Sequence, residues 1–356
     1  MTDPSSLPDD RRTPIGALPI HVVIVSYNRA ADLRRCLASL ARQDPPVASI
    51  CVVDNGSTDG TLEMVRREHP GVELLLTPRN LGACVTRNAA AARSSQPVLW
   101  FLDSDAELRD ADGAARLHAL LMADPQRAAV GGEAVLDTGG RIVGVKRLRI
   151  GANAVVQGDT VGEEAGTTAC QVIASCNLMV RREDFLAVGG FNPFYVFFYE
   201  DIELTWRLHQ AGRTLVTLTP MPVVHHYSEA VRITNLWQES RNRMYFCLRN
   251  LAWPQVLALP LADVGFLLRL DNFRRLLRRA RKPARAVSLV TAGGAAPART
   301  RATAGRATAL ALRMLAMIAL GYLAIPRVLL PALAARRRGA CPPVVSALLR
   351  QVEAAS

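Results

Sequence analysis

The first hundred residues alternate between short apolar runs and segments with helical spacing of apolar residues, and this alternation constrains the fold most strongly. Four runs have the length and composition of strands, and they are His21–Val25, Ile50–Val53, Val72–Leu76 and Val98–Leu102. Segments with helical spacing fill the intervals between them. Strands joined through helices in this way lie parallel, with right-handed crossovers and helices on both faces. The sequence therefore predicts an α/β fold built on a mostly parallel sheet.

Beyond the fourth run the pattern becomes less regular. Residues Val130–Ala169 are rich in glycine and predict an antiparallel, hairpin-like excursion. A helix is expected over Asp201–Gln210, and a strand is expected over Thr214–Leu218. We therefore predict a main domain over residues 19–227, preceded by a disordered leader over residues 1–18.

The C-terminal part differs from the rest in charge. The chain contains 43 Lys and Arg and 31 Asp and Glu, which gives a formal net charge of +12. Residues 227–356 carry a net charge of +16, whereas residues 1–226 carry −4. A nucleic-acid binder would carry its basic charge on the folded module. A basic excess in a region rich in Leu, Ala and Met instead favours an anionic membrane surface as the partner, and no nucleic acid.

Two apolar stretches in this region, Leu251–Leu270 and Ala307–Ala335, are interrupted by charged residues. Only 13 uncharged residues separate Arg313 from Arg327, whereas a helix that spans a membrane needs about 20. We therefore expect helices that lie in the membrane surface. The predicted organisation is a helical membrane-proximal extension, a low-complexity linker and amphipathic or apolar helices, over residues 228–283, 284–308 and 309–356 respectively.

The cysteines and the N-terminus indicate the cellular compartment. The seven cysteines are dispersed and contain no C-x-x-C pair, which argues against a disulfide framework or a structural zinc site. The N-terminal segment is polar and rich in proline, without the apolar core of a secretory signal. We therefore expect the main domain to be cytoplasmic.

Acidic residues follow two of the predicted strands. Asp103 and Asp105 flank Ser104 directly after the strand Val98–Leu102, and two carboxylates with this spacing can approach one divalent cation. A solvated turn is the alternative, because such triplets also occur by chance. Asp54 ends another strand, where a carboxylate can accept hydrogen bonds from a nucleobase or ribose. A turn chosen only for its backbone geometry is the alternative at that position.

Two further polar pairs occur later in the chain. His225 and His226 follow a short apolar run, a setting that suits a packed or surface histidine as well as a metal ligand. Glu200 and Asp201 open the predicted helix, where an acidic residue also favours the helix dipole. The dipole accounts for one carboxylate better than for two that follow the aromatic cluster Phe194–Tyr199.

Six separated stretches, taken together and in order, resemble one protein family. They are HVVIVSYNR, VVDNGSTDGT, RNLGACVTRNAA, FLDSDAEL, GGFNPFYVFFYEDIELTWRLHQAG and VVHHY. This series resembles the family-two nucleotide-sugar glycosyltransferases of GT-A fold, particularly the bacterial rhamnosyl- and galactofuranosyl-type enzymes. The resemblance covers about residues 20 to 250 and implies a Rossmann-like, mostly parallel sheet with helices on both faces, followed by the basic and apolar helical region.

The resemblance implies a donor site for a UDP-, dTDP- or GDP-linked sugar. It places Ser26, Tyr27 and Asp54 in the nucleoside pocket, and it places Gly82 and Arg87 near the diphosphate. The remaining residues of the implied donor site are Asn28, Asp103 and Ser104.

The same resemblance implies a metal site. It makes Asp103 and Asp105 the metal-binding pair, with Asp105 preferred as the direct ligand. It also favours His225 as a further ligand, with His226 as the alternative. Oxygen ligands together with a pyrophosphate suit Mg²⁺ or Mn²⁺, and an imidazole ligand shifts the preference toward Mn²⁺.

The implied reaction is a single displacement that inverts the anomeric carbon. Asp201 acts as the general base on an acceptor hydroxyl, and the metal stabilises the departing nucleoside diphosphate. Glu200 and Tyr199 are assigned to the acceptor, a glycan or lipid-linked molecule of bacterial cell-envelope synthesis. The enzyme would lie peripherally on the cytoplasmic face of the inner membrane. The aromatic residues Phe194–Tyr199 can stack on a sugar, and a core or membrane-contact role is an equal alternative.

Other classes of protein fit parts of the sequence. A dinucleotide-binding oxidoreductase needs a G-x-G-x-x-G turn after the first strand, and SYNRAAD stands there instead. A processive polysaccharide synthase is disfavoured because the sequence has no Q-x-x-R-W motif. The rival from a different class is a non-catalytic, membrane-associated module that binds nucleotide sugars. The carboxylate of Asp201 favours an enzyme over that module.

Overall fold

A computed structural model describes most of the chain. The described residues are 14, 16–136, 140–162, 164–226, 236–268 and 302–338, with side chains described for 313–337 of the last range. Most of the predicted leader and linker, the basic cluster of residues 274–282 and the residues after 338 lie outside these ranges.

Strands and helices alternate through the first hundred residues, as the sequence predicts. These elements are β1 (Leu18–Ser26), α1 (Ala30–Ala41), β2 (Val47–Asp54), α2 (Thr61–Glu68), β3 (Glu73–Leu76), α3 (Ala83–Arg93) and β4 (Val98–Asp103). Shorter strands and helices follow. They are β5 (Ala106–Leu108), α4 (Gly113–Met122), β6 (Arg127–Gly131), β7 (Ala134–Leu136), β8 (Ile142–Ile150), β9 (Val156–Val161), β10 (Gly166–Ala169), β11 (Asn177–Arg181), α5 (Arg182–Ala187), α6 (Glu200–Gln210), β12 (Thr214–Thr219) and β13 (Val223–His225).

The central sheet has eight strands in the order β10-β12-β6-β11-β4-β1-β2-β3. Strands β4, β1, β2 and β3 pair in parallel, and β12 pairs in parallel with β6. Strand β11 is antiparallel to both of its neighbours, and β10 is antiparallel to β12. The predicted α/β fold with a mostly parallel sheet is confirmed.

Helices cover both faces of this sheet, and a separate hydrophobic core lies on each face. In β1, Val22 and Ile24 join the core beneath α1 and α2, whereas Val23 joins the opposite core beneath α3. In β4, Trp100 and Phe101 divide in the same way. Because both faces are buried, these strands are apolar at every central position instead of alternating with polar residues.

The glycine-rich region forms a separate antiparallel sheet, which we call the arm. It consists of β7, β8 and β9 in that order, over residues 134–161. Gly144 has a φ of 156°, and a Cβ atom there would lie 2.2 Å from the carbonyl oxygen of Val161. Only glycine therefore allows β8 to lie this close to β9. The predicted antiparallel excursion is confirmed.

Four helices are described after the last strand. They are α7 (Leu236–Asn250), α8 (Trp253–Leu257), α9 (Leu259–Leu268) and α10 (Ala302–Arg338). Helix α10 packs against α7, and Val328 and Ala332 enter the same core as Val23 of the central sheet. The predicted linker over 284–308 therefore ends inside a helix, because residues 302–308 already belong to α10.

Charged residues within the apolar helices have partners inside the protein. Asp263 of α9 accepts hydrogen bonds from the guanidinium of Arg243 at 2.8 and 3.0 Å, from Asn153 Nδ2 at 2.9 Å and from Tyr322 Oη at 2.9 Å. These groups come from α7, α9, α10 and the loop between β8 and β9. The buried network therefore joins the C-terminal helices to the arm.

Helix α10 also has an exposed apolar side. Its segment Arg313–Arg337 is long and apolar enough to cross a membrane, judged by length and composition. The guanidinium of Arg313 lies 3.4 Å from Glu239, and that of Arg327 lies over the ring of Trp237. Leu323 and Leu330 point away from α7 and are 65% and 73% exposed.

Candidate active site

The carboxyl ends of the central strands meet at one edge, where the predicted site residues gather. Parallel pairing places Ser26 of β1 opposite Asp54 of β2, and Val25 opposite Asp103 of β4. A cavity of about 770 Å³ opens at this edge, a size typical of small-molecule sites. Each of the six sequence stretches contributes to its lining, through Tyr27, Asn55, Gly82, Asp103, Asp201 and His225 among others.

Asp103, Asp105 and His225 form a group that can hold a metal ion, because their ligand atoms all lie within 4.8 Å of one another. His225 Nε2 lies 2.9 Å from Asp105 Oδ1 and 3.5 Å from Asp103 Oδ2. The antiparallel pairing of β13 with β5, which sets His225 opposite Ala106, brings the imidazole to the carboxylates. Two carboxylate oxygens and one imidazole nitrogen suit a divalent cation such as Mn²⁺.

His226 lies outside this group. Its Nε2 atom lies 2.8 Å from Glu107 Oε2, on the other side of the short two-stranded sheet. Successive side chains of an extended segment point in opposite directions, so only one of the two histidines can face Asp105. The geometry thus agrees with the preference for His225.

Burial and neighbouring groups have opposing effects on the pKa values of Asp105 and His225. Burial favours the neutral form of Asp105, but hydrogen bonding to His225 and the charge of Arg29 outweigh it and lower the pKa of the carboxyl. Burial likewise opposes the charged form of His225, but Asp105 and Asp103 raise the pKa of the imidazole. The Asp105 shift comes from its positive and hydrogen-bonding neighbours, and the His225 shift comes from the two carboxylates beside it.

Arg87 of α3 lies between the metal-binding group and the acidic pair at the start of α6. Its Nη2 donates to Asp103 Oδ1 at 2.6 Å, and its Nη1 lies 3.7 Å from Glu200 Oε1. The guanidinium is buried and lies over the ring of Phe191. Arg87, which the resemblance places near the diphosphate, thus lies beside Asp103 and within 3.7 Å of Glu200.

A strained turn presents the acidic pair to the cavity. Phe198 and Tyr199 have φ angles of 68° and 72°, which are unfavourable for residues other than glycine. Asn242 of α7 holds this turn, because its Nδ2 donates to the carbonyl oxygens of Phe197 and Phe198, both at 2.8 Å. Sequence reasoning about local propensity cannot find such a turn, because a residue distant in the chain stabilises it.

Asp201 is fixed by backbone donors at the start of α6. Its Oδ1 accepts a hydrogen bond from the backbone N–H of Ile202 at 2.7 Å, and its Oδ2 accepts one from Ser175 at 3.3 Å. Burial outweighs these hydrogen bonds and raises the pKa of Asp201. Burial, and then the charge of Asp201, raise the pKa of Glu200 to about 8. A raised pKa makes Asp201 a better proton acceptor than an exposed aspartate.

The predicted donor residues divide into two groups in the structure. Tyr27, Gly82, Arg87, Asp103 and Ser104 line the cavity. At Gly82 the φ angle is 86°, and a Cβ atom would lie 3.3 Å from Val196 Cγ1, so the chain needs glycine there.

Ser26, Asn28 and Asp54 lie at the same edge but do not line the cavity. Asp54 Oδ1 accepts a hydrogen bond from the backbone N–H of Ser57 at 3.1 Å, and Asn28 Oδ1 accepts one from Thr58 at 2.7 Å. These contacts join the loops after β1 and β2. In the stretch VVDNGSTDGT, the described residue that lines the cavity is Asn55, next to Asp54.

Tyr199 lines the cavity, but its hydroxyl is already engaged. Its Oη donates to the carbonyl oxygen of Ala154 at 2.9 Å, and the side chain is buried. Only the backbone and the ring are therefore available for the acceptor contact predicted for Tyr199. The neighbouring part of the wall is formed by Phe197 and by Met317 of α10.

The structure adds four polar residues that the sequence analysis did not assign to the site. Arg29 lies 3.2 Å from Asp105, and Asn242 holds the strained turn. Glu133 and Lys146 form an ion pair on the arm side of the cavity. The two glycines directly before Glu133 were a usable signal, because consecutive glycines after a strand indicate unusual backbone geometry.

Comparison of the sequence with known proteins gives consistent matches. The family described as Glycosyl transferase family 2 matches residues 21–185. N-acetylglucosaminyl-diphospho-decaprenol L-rhamnosyltransferase of Mycobacterium tuberculosis is 32% identical over 234 residues, covering 58% of this chain and 75% of that protein. Succinoglycan biosynthesis protein ExoA of Rhizobium meliloti is 28% identical over 267 residues, covering 69% of this chain and 76% of that protein.

Solved structures share the fold. Mannosyltransferase PcManGT from Pyrobaculum calidifontis, in complex with GDP-Man and Mn²⁺, has a TM-score of 0.51 at 18% identity, covering 96% of this chain and 88% of that chain. GalNAc-T7 with UDP, GalNAc and Mn²⁺ has a TM-score of 0.52 at 20% identity, covering 73% of this chain and 54% of that chain.

Proposed function

The chain belongs to glycosyl transferase family 2 and is a glycosyltransferase that uses a nucleotide sugar, and we propose that it transfers the sugar, with inversion, to a hydroxyl of a lipid-linked acceptor. The GT-A fold implied by the sequence resemblance is confirmed by the two structural neighbours. One observation carries the proposal. The metal-binding group and the acidic pair of α6 line the same cavity, with Arg87 between them.

Asp201 is the proposed general base. Its carboxylate is buried, held by two backbone donors and shifted to a raised pKa, so it can accept the proton of an acceptor hydroxyl as the bond to the sugar forms. Glu200 lies beside it, with Oε1 3.7 Å from Arg87 Nη1. We assign Glu200 to orienting the acceptor hydroxyl, because its raised pKa leaves a proton available for a hydrogen bond.

Asp103, Asp105 and His225 would hold a divalent cation, Mn²⁺ or Mg²⁺, which would neutralise the diphosphate of the donor when bound. Arg87 adds a fixed positive charge beside Asp103. Because the guanidinium is buried and cannot move into solvent, its charge acts on the leaving group without reorganisation cost. Arg29 provides a second positive charge beside Asp105.

The acceptor wall supports a lipid-linked substrate. Val196, Phe197 and Met317 line the same cavity as the acidic pair, and Phe197 is 40% exposed. Met317 belongs to α10, the helix with the exposed apolar side. A sugar attached to a lipid diphosphate would reach Asp201 past this wall while its lipid stays beside α10. The rhamnosyltransferase of Mycobacterium tuberculosis has by its name such an acceptor.

We also propose that the enzyme lies peripherally on the cytoplasmic face of a bacterial inner membrane. Most of its exposed large apolar side chains lie in the C-terminal helices, and examples are Leu257, Leu261, Leu323 and Leu330. The net charge of +16 over residues 227–356 would attract anionic lipid to the same region.

Release of nucleoside diphosphate tests the proposal. The purified chain is incubated with UDP-, dTDP- or GDP-linked sugars, Mn²⁺ and a polyprenyl diphosphate-linked N-acetylglucosamine acceptor. We expect one donor to give nucleoside diphosphate and a glycosylated lipid whose new linkage has the opposite anomeric configuration. Donor binding without any transfer, with all acceptors tried, would instead support the non-catalytic binding module.

A further inference from the structure

Two consecutive glycines directly precede an acidic residue of the cavity wall. Gly131 ends β6 with a φ of 146°, and Gly132 follows with a φ of 122°. A Cβ atom on Gly131 would lie 2.1 Å from the carbonyl oxygen of Asn177, and one on Gly132 would lie 2.9 Å from Thr217 Cγ2. Neither position accepts a side chain. The chain can therefore turn here, directly before Glu133, only with this Gly-Gly sequence.

Glu133 forms a largely buried ion pair with Lys146 of the arm. The side chain of Glu133 is only 7% exposed, that of Lys146 is 35% exposed, and both line the cavity. The backbone N–H of Lys146 also donates to the carbonyl oxygen of Glu133 at 2.9 Å. Removing a carboxylate from water costs free energy that an ion pair often fails to recover. A charged pair kept in a cavity wall is therefore more readily explained by a ligand than by stability.

The ion pair lies next to the metal-binding group. Gly132 donates its N–H to the carbonyl oxygen of Asn177 at 3.0 Å, and Asp103 donates its N–H to the carbonyl oxygen of Cys176 at 3.2 Å. Glu133 and Asp103 thus flank the same two-residue segment. The sugar of a nucleotide sugar is attached to the phosphate that this group would hold. Glu133 and Lys146 are therefore on the donor side of the cavity, next to the metal-binding group.

On the basis of the proposed function, we propose that Glu133 and Lys146 bind hydroxyl groups of the sugar that is transferred, and so determine which nucleotide sugar the enzyme accepts. A carboxylate can accept hydrogen bonds from two neighbouring hydroxyls, and an ammonium group donates to hydroxyl oxygens. A site built to hydrogen-bond a hydroxyl rejects sugars that lack it or present it in another direction.

Binding of nucleotide sugars and of the matching nucleotides tests this proposal. Titration calorimetry with Mn²⁺ would compare UDP-glucose with UDP, GDP-mannose with GDP, and dTDP-L-rhamnose with dTDP, using the pair that binds best. The variants are Glu133→Gln and Lys146→Met. The matched controls are Asp159→Asn and Arg147→Met, which break a more exposed ion pair on the same arm. If Glu133→Gln does not fold, Lys146→Met and the double variant provide the test.

The expected result is specific to the sugar. The dissociation constant of the nucleotide sugar should rise about 10- to 100-fold in the variants, while that of the nucleotide stays within about twofold of wild type. The controls should bind both ligands as wild type does.

Three results would overturn the assignment. Equal weakening of nucleotide and nucleotide sugar would make the pair a support of the metal-binding group. Unchanged donor binding with a higher KM for the acceptor would place the pair on the acceptor side. A folded wild-type chain that binds none of the nucleotide sugars would refute the proposed function itself, and the sugar contact with it.

Discussion

The proposed role of Asp201 as general base depends on its carboxylate charge and not only on its place at the start of α6. Asp201→Asn keeps the size of the side chain and one of its two acceptor oxygens, but it cannot take up a proton. We expect the rate of transfer to fall about 10²- to 10⁴-fold, with unchanged affinity for the nucleotide sugar. Steady-state kinetics and calorimetry check this.

Glu183→Gln is the matched control, because Glu183 also lies in the first turn of a helix but is exposed. We expect this variant to transfer sugar at the wild-type rate. Comparable activity of Asp201→Asn and wild type would refute the assignment of the base.

The raised pKa of Glu200 predicts how stability depends on pH. The folded protein holds a proton on Glu200 up to about pH 8, whereas the unfolded chain releases it near pH 4.5. Because the folded state binds more protons in this window, the free energy of unfolding should fall as pH rises from about 5 to about 8. In Glu200→Gln this decrease should be smaller. Urea denaturation at several pH values measures both slopes, and parallel slopes would contradict the shift.

The sequence predicts a residue of the site where it also predicts the end of the strand that carries that residue. Asp103 and Asp105 follow an unmistakable buried strand, so their place at the cavity could be inferred from the sequence. Asp54 follows an equally clear strand, but its side chain is used by the turn at Ser57. Choosing between Asp54 and Asn55 as the lining residue requires the direction of each side chain, which the strand pattern alone does not give.

The strained turn before α6 is the element on which the site geometry depends most. Asn242→Ala removes both side-chain donors to the carbonyl oxygens of Phe197 and Phe198. We expect the free energy of unfolding to fall by about 2 kcal/mol and kcat to fall about 10- to 100-fold, with little change in nucleotide affinity. Denaturation and kinetics of the same preparation separate the two effects.

Asn250→Ala is the control for this element. Asn250 lies on the same helix, but its Nδ2 donates within the helix to the carbonyl oxygen of Phe246. Loss of stability without loss of kcat in Asn242→Ala would show that the turn does not position the acidic pair.

The C-terminal helices show what apolar composition can and cannot predict. Two apolar stretches correctly indicated helices over most of α9 and α10, although charged residues such as Arg313 and Arg327 interrupt them. The sequence alone could not show that Asp263 is paired with Arg243, or that Arg327 lies over Trp237. These partners are distant in the chain. Local sequence therefore could not show that tertiary contacts stabilise Asp263 and Arg327 within apolar helices.

At the scale of the whole molecule, the positive charge of residues 227–356 predicts that this region binds an anionic membrane. We expect wild type to bind vesicles that contain phosphatidylglycerol and to be released as salt increases. Leu323→Gln combined with Leu330→Gln should weaken this binding about tenfold or more, because each exposed leucine loses its apolar contact with lipid. Flotation of the protein with vesicles measures the bound fraction.

Met122→Gln is the control for the membrane prediction, since Met122 is 47% exposed on α4, outside the C-terminal helices. An equal loss of binding in this variant, or no loss in the double leucine variant, would contradict the proposed orientation. Thermal melting of both variants checks that they are folded.

We propose above all that one cavity binds a divalent cation and a nucleotide sugar together. Thermal melting with UDP-, dTDP- and GDP-linked sugars, each with Mn²⁺ or with a chelator, tests it most directly. We predict that at least one sugar nucleotide raises the melting temperature by about 5 °C at saturating concentration, only with Mn²⁺, and not in Asp105→Asn. Stabilisation that persists with the chelator, or is equal in Asp105→Asn, would contradict the account.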